Sequence, residues 1–153
     1  MCGVIVMKVL VQRVNSASVT VDEKRISEIG LGLLVLLGIK DSDTQKEIDY
    51  IIRKIINLRI FSDDNSFMSK SVLDVGGEIL LVSQFTLYGD CCKGNRPSFT
   101  RAMSPGLAKN FYDNFADCLK KQYPKVKEGV FGAYMQVSLV NDGPVTILID
   151  SEK

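Results

Sequence analysis

The sequence predicts an α+β fold: mainly antiparallel β-sheets in a barrel-like arrangement, with two amphipathic helices inserted. Three observations carry that expectation. Apolar residues alternate with polar neighbours at Val9 and Val11, at Ala17, Val19 and Val21, at Met135, Val137 and Leu139, and at Val145, Ile147 and Ile149. That period of two belongs to half-buried strands. Two other stretches, Ile48 to Ile56 and Ala108 to Leu119, place apolar residues at helical spacing. Strands and helices do not alternate regularly, which argues against a doubly wound parallel sheet.

The elements follow in order. The alternation from Lys8 onward opens the chain with strand. Met7 reads as the natural start, and residues 1–6 as an N-terminal extension or an expression artefact; a longer first strand is the alternative. Ile29 to Ile39 is an apolar run with glycines at 30, 32 and 38, expected to be a fully buried strand. Thr44 and Glu47 fit a capping box, which opens a helix with Ile48, Ile51, Ile52, Ile55 and Ile56 on one face and its end near Asn57. Leu58 to Phe61 reads as a short strand and Asp63-Asp64-Asn65 as a turn. Val72 to Val75 and Glu78 to Leu87 flank Gly76-Gly77, a hairpin signal. Gly89 to Arg101 is a polar loop. Ser104 and Pro105 are the cap and first position of a second helix, with Ala108, Phe111, Phe115, Cys118 and Leu119 on its apolar face and Pro124 past its end. Asn141 to Pro144 is expected to turn the chain between the last two strands. Residues 7–153 form one domain.

Composition narrows the chemistry. A chain of 153 residues that is 46% apolar and 24% charged has enough material for one core. With 19 Lys and Arg against 18 Asp and Glu, the net charge of +1 excludes a strongly basic polyanion binder and leaves local patches open. The chain has no histidine, so Ser-His-Asp and Cys-His mechanisms and His-rich zinc sites are excluded. Cys2, Cys91, Cys92 and Cys118 form no C-x-x-C pair. No cleavable signal pattern is visible, so a reduced, cytoplasmic protein is expected, with no metal and no cofactor. The longest apolar run, Leu31 to Ile39, is far short of the ~20 residues that span a bilayer, so no membrane partner is expected.

Several segments could carry chemistry. Ser83-Gln84-Phe85-Thr86-Leu87 ends an apolar strand with polar side chains, which need partners from the protein or a ligand. Asn141-Asp142-Gly143-Pro144 is either a plain turn or a place where backbone enters a cavity unobstructed by a side chain. Lys93-Gly94-Asn95-Arg96-Pro97-Ser98 suits a phosphate or forms a solvated loop, and lacks P-loop spacing. Lys120, Lys121, Lys125 and Lys127 could meet RNA phosphate or finish a helix in solvent. Asp63 and Asp64 are adjacent in a turn, unsuited to converge as an acid–base pair.

Three motifs in order then carry a resemblance. Met7-Lys-Val-Leu-Val-Gln-Arg-Val14, Ser83-Gln-Phe-Thr-Leu87 and Asn141-Asp-Gly-Pro-Val-Thr146 make the chain, from Met7 to about Asp150, similar to the D-aminoacyl-tRNA (D-tyrosyl-tRNA) deacylases. The resemblance implies a homodimer of small α+β subunits. It implies a carboxylic ester hydrolase that removes D-amino acids, and mischarged glycine, from the 3′-terminal adenosine of tRNA while excluding L-amino acids. Ser83, Gln84, Phe85 and Thr86 match the family's catalytic pocket motif. Gly143 and Pro144 match its Gly-cisPro motif, which enters the partner subunit's pocket, and Arg13 matches a residue that holds that motif. Phe131 and Met135 match positions on the adenosine side.

Without histidine, the expected mechanism is substrate assistance: the adenosine 2′-OH activates water and N–H groups near Phe85 and Thr86 stabilise the oxyanion. Thr86 as an unassisted nucleophile is the weaker alternative. A non-catalytic RNA- or nucleotide-binding module and an esterase for free D-amino acid derivatives are the rival functions.

Overall fold

One strand, β1 (Lys8–Val21), organises the sheet. The computed structural model describes residues 7–40 and 44–151, and the reading of residues 1–6 lies outside the described residues. From Lys8 to Thr20, β1 pairs antiparallel with β6 (Gln136–Asp150). Its first half also pairs with β3 (Gly32–Gly38), and its second half with β2 (Lys24–Ile29), again antiparallel. β4 (Glu78–Ser83) and β5 (Val126–Glu128) then extend the sheet in parallel beside β3. The sheet is therefore mixed. It nearly closes on itself: Lys127 on β5 donates to the Glu28 carbonyl of β2 at 2.8 Å, and Gly30 N–H donates to Glu78 at 3.0 Å.

Alternation along the strands divides the core into two layers. Leu33, Val35 and Leu37 of β3 and Ile79 and Leu81 of β4 face the helices α1 (Gln45–Asn57) and α3 (Pro105–Gln122). The α1 isoleucines and Tyr112, Phe115 and Leu119 of α3 complete that layer. Leu34, Leu80 and Val82 point the other way, into a smaller cluster with Val14, Ala17, Val19 and Ile29. Val9 and Val11 belong to the first layer but Ala17 and Val19 to the second, because register shifts around Val14 exchange the two faces of β1.

Both expected helices form where their caps place them. Glu47 accepts from Thr44 N–H at 2.6 Å, and Pro105 opens α3. Four expectations are corrected. Val72 to Val75 is a short helix, α2, not a hairpin arm. Ser71 and Asp74 cap it reciprocally, through Ser71 N–H to Asp74 at 3.0 Å and Asp74 N–H to Ser71 Oγ at 3.2 Å. Gly76 ends it in the left-handed region at φ 67°, so the double glycine terminates a helix instead of turning a hairpin. In Leu58 to Phe61, Phe61 bridges Lys70 and no strand forms. The chain leaves the sheet after Ser83 and winds a 3₁₀ turn over Phe85–Tyr88. Finally, Asn141 to Pro144 does not reverse the chain: Val140 pairs with Ser16 and Thr146 with Gln12, so both ends stay on β1 in one direction.

Candidate active site

The end of β4 opens onto a cleft of about 990 Å³. Ser83 to Thr86 form one wall, Phe99, Thr100 and Ala102 to Pro105 a second, and Phe131 to Met135 a third. Met103 N–H donates to the Ile39 carbonyl at 3.0 Å, which ties the second wall to the sheet. Phe131 rests on the buried Tyr112 ring, with centroids 5.4 Å apart. Burial, with Glu128 nearby, pushes the Tyr112 phenol far above its ordinary range, so it stays protonated and serves as support. Met135 packs against the smaller core cluster.

The chemistry of this cleft is set by what its walls contain. Among the described residues, its lining has no Asp, Glu, Lys, Arg or Cys, and the phenol of Tyr134 is its one titratable group. Tyr134 is 86% exposed at the rim. A general base with a pKa near neutrality is therefore missing from the walls. Gln84 donates its side-chain amide to Thr86 Oγ1, which orients the hydroxyl without providing a base for its proton. Gln84 N–H completes the sheet by donating to Leu37 at 2.7 Å, and the turn's first internal bond runs from Leu87 N–H to Gln84 at 3.2 Å. The Phe85 and Thr86 N–H groups lie between these two donors and are not used by the turn itself. They are the donors available to a developing oxyanion.

The second motif is built oppositely. Gln12 pairs with Thr146 and Val14 with Asn141, so residues 142–145 all stand opposite Arg13 alone. The surplus is thrown out of the sheet as a wide bulge. The Gly143–Pro144 peptide is cis. Both residues are exposed, whereas Arg13 beneath them is only 7% exposed. Arg13 donates to the Ile60 carbonyl at 2.7 Å and to the Asp142 carbonyl at 3.1 Å, and its guanidinium lies 3.3 Å from the Asp142 carboxylate. Val145 N–H donates to Asn141 Oδ1 at 3.1 Å, and Asn141 donates to Thr146 at 3.0 Å. Gly143 sits at φ 129°, and a Cβ there would lie 3.0 Å from Arg13 Nη2 and 2.8 Å from Val145 Cγ2. Glycine is required there by both conformation and space.

The structure thus brings Ser83, Gln84, Phe85, Thr86, Phe131 and Met135 to one cleft, and Arg13, Gly143 and Pro144 to one bulge. It does not bring the two groups together: neither bulge glycine, bulge proline nor Arg13 lines the cleft. The contributions of Ala102, Met103 and Ala108 to the walls carried no signal of a site in the sequence, because ordinary apolar side chains become wall only through tertiary packing. The Lys120–Lys127 stretch is largely neutralised within the fold. Lys120 pairs with Glu128, Lys125 donates to Gly76 at 3.0 Å, and Lys127 pairs with Glu78 at 3.5 Å.

Comparisons with known proteins agree with this geometry. The family model described as D-Tyr-tRNA(Tyr) deacylase matches residues 10–150. A D-aminoacyl-tRNA deacylase of Thermosipho africanus is 54% identical over 147 residues, covering 96% of this chain and 99% of the relative. One of Clostridioides difficile is 55% identical with the same coverage. A solved structure described as a c-Myc DNA unwinding element binding protein superposes with a TM-score of 0.89 at 53% identity, over 93% of this chain and 97% of that one. A probable eukaryotic D-amino acid tRNA deacylase shares the fold, with a TM-score of 0.85 at 17% identity over 95% of this chain and all (100%) of the other. With the model match and these identities extending over nearly the whole length, this chain belongs to the D-Tyr-tRNA(Tyr) deacylase family.

Proposed function

We propose that the protein hydrolyses the ester between a D-amino acid and the terminal adenosine of tRNA, acting in the cytoplasm where charged tRNA is used. The observation that carries this reading is a cleft with N–H donors on one wall and no general base among its described lining residues. Such a site suits a substrate that is already activated and brings its own hydroxyl. Water attacks the carbonyl carbon, and the oxyanion forms against the Phe85 and Thr86 N–H groups. The vicinal 2′-OH relays the water's proton to the departing 3′-oxygen. The products are free amino acid and tRNA.

In this reading two copies of the chain form a homodimer, and the Gly143–Pro144 bulge of each enters the other's cleft. The exposed bulge, fastened at its base by Arg13, supports that role. Its backbone carbonyls hold the substrate amino group, so an L side chain collides with main chain while a D side chain points out. Selectivity then comes from penalising the wrong hand. Glycine, having no side chain, escapes the penalty and is also removed. Phe131 and Met135 flank the adenosine.

The decisive experiment compares D-Tyr-tRNA, L-Tyr-tRNA and Gly-tRNA with the purified protein, alongside its mass in solution. Cleavage of the D and glycyl esters with the L ester spared, by a dimer, is expected. Equal cleavage of both hands would overturn the chiral mechanism. Tight tRNA binding without turnover would favour a non-catalytic binding module. Cleavage of a free D-tyrosyl ester as fast as D-Tyr-tRNA would favour the simple esterase.

A further inference from the structure

Resting on the deacylase reading, we propose that the hairpin Asp90–Ser98 and the ring of Tyr134 grip the single-stranded 3′ end of the RNA from opposite lips of the cleft.

The hairpin is a built element. Asp90 and Ser98 exchange two backbone hydrogen bonds, each 2.8 Å long. Asp90 Oδ1 accepts from Cys92 N–H at 3.0 Å, and that bond is the main reason its carboxyl stays below the ordinary range. The hairpin is also anchored to the cleft wall: Phe99, which follows it, meets Phe85 edge-on with centroids 5.1 Å apart, and Thr100 lines the cavity.

Its charge is outward. Lys93 and Arg96 are exposed, and neither forms an ion pair among the described residues, whereas Arg101 lies within electrostatic reach of the Asp90 carboxylate. Asp90, the one acid from Gly89 to Arg101, is committed to the hairpin's own turn. The stretch at the end of α3 shows the contrast, since Lys120, Lys125 and Lys127 are engaged by Glu128, Gly76 and Glu78. In a chain of net charge +1, such a local excess is a patch of positive potential that attracts a polyanion. Across the opening, Tyr134 projects an 86% exposed ring from the wall that carries Phe131 and Met135. Cations for the backbone beside an aromatic face for a base are the combination that holds single-stranded nucleic acid. If the terminal adenosine occupies the cleft, Tyr134 stacks on the preceding base and Lys93 and Arg96 meet the phosphates.

The test uses Lys93→Gln/Arg96→Gln and Tyr134→Ala, with Lys46→Gln, at an exposed position on α1, as a surface control. Two readouts are taken across a NaCl series: single-turnover hydrolysis of D-Tyr-tRNA and of D-tyrosyl-adenosine, and anisotropy of uncharged tRNA. The double variant is expected to weaken tRNA binding and half-saturation at least tenfold. It should lower the slope of log affinity against log salt by about 1.4, at ~0.7 for each of two single-strand phosphate contacts. Its maximal rate and its hydrolysis of D-tyrosyl-adenosine should be unchanged. Tyr134→Ala is expected to weaken tRNA binding roughly tenfold with the salt slope intact. Arg96→Lys, alone, should preserve the slope. Unchanged affinity and slope in the double variant overturn the grip, as does an equal loss on D-tyrosyl-adenosine, which would make the hairpin a support of the pocket. If the wild type cleaves neither ester, the deacylase reading fails. The anisotropy data then still decide the grip.

Discussion

The cleft beside Ser83–Thr86 is a concave, largely apolar surface whose polar side chains are uncharged, whereas the bulge at residues 142–145 is an exposed protrusion fastened from below by a buried guanidinium. The cleft has space and no group that fills it. The bulge has fixed backbone and no space around which to act. Within one chain they are separate surfaces. The difference shows where each kind of order comes from. Apolar packing around α3 shapes the cleft, while directed hydrogen bonds from Arg13 to the Asp142 carbonyl and from Val145 N–H to Asn141 hold the bulge, with Arg13 itself anchored on the Ile60 carbonyl. In the proposed homodimer, a partner copy brings the second surface to the first and gives both a use.

The largest effect should come from testing that complementarity directly. Gly143→Val forces a side chain against Arg13 and Val145, and Ala133→Trp fills the cleft. Each alone is expected to lower single-turnover deacylation of D-Tyr-tRNA more than a hundredfold. Unfolded together and refolded as a mixture, they should recover roughly a quarter of wild-type activity, because half the random dimers hold one intact site of two. No recovery in a mixture shown to contain mixed dimers breaks the comparison.

Next in size is Arg13→Ala. It removes the donor to the Ile60 and Asp142 carbonyls and should cost about 1–3 kcal/mol in urea unfolding. Discrimination between D- and L-Tyr-tRNA should fall along with stability. Arg13→Lys should recover part of the stability and little of the selectivity, since one ammonium does not reproduce two divergent donors. Full selectivity in Arg13→Ala would detach the arginine from the bulge's function.

The cleft predicts a smaller and contrary result. Thr86→Ala is expected to keep single-turnover hydrolysis within about tenfold of wild type, because no base on the described walls takes the hydroxyl's proton. The rate between pH 5 and 8 should show no inflection of a protein acid or base. Near-complete loss with binding intact would make Thr86 the nucleophile.

The smallest effect separates the two regions by acid. Cys92 N–H is held by the Asp90 carboxylate, and Val145 N–H by the Asn141 amide. The Asp90 carboxyl lies below the ordinary value of 3.8, so its brace is fully present above that value. It is lost as pH falls through the lower folded value. Amide exchange corrected for intrinsic rates should show Cys92 losing protection on acidification while Val145 keeps its own. Asp90→Asn should abolish the difference. Equal loss at both amides would assign it to global unfolding.

Much of the architecture was legible. The helices α1 and α3 follow from apolar spacing and caps within one turn of their starts, both local properties. The short helix at Val72–Val75 carried a readable signal, Ser71 three residues before Asp74, but the double glycine after it also signals a hairpin. The two signals compete because glycine at positive φ serves both. Asn141–Pro144 misled for a different reason. Its composition suits a turn, and only the continuous pairing with β1 on both sides makes it a bulge. The three motifs named the family, while nothing local distinguished Lys93 and Arg96, which form no ion pair among the described residues, from Lys120 and Lys127, which pair with Glu128 and Glu78.

By itself the sequence determined which chemistry this protein could not use: without histidine, any hydrolysis had to proceed without an imidazole, because that property depends on which side chains exist and not on where they go. It also determined strands and helices wherever period and caps agreed. Tertiary structure decided that the pocket motif and the Gly-Pro motif stand apart, that the second is a protrusion, and which cations are left facing outward. Those outcomes depend on strand register and long-range pairing. A register shift of a single residue exchanges the faces of a strand without changing any letter of its sequence.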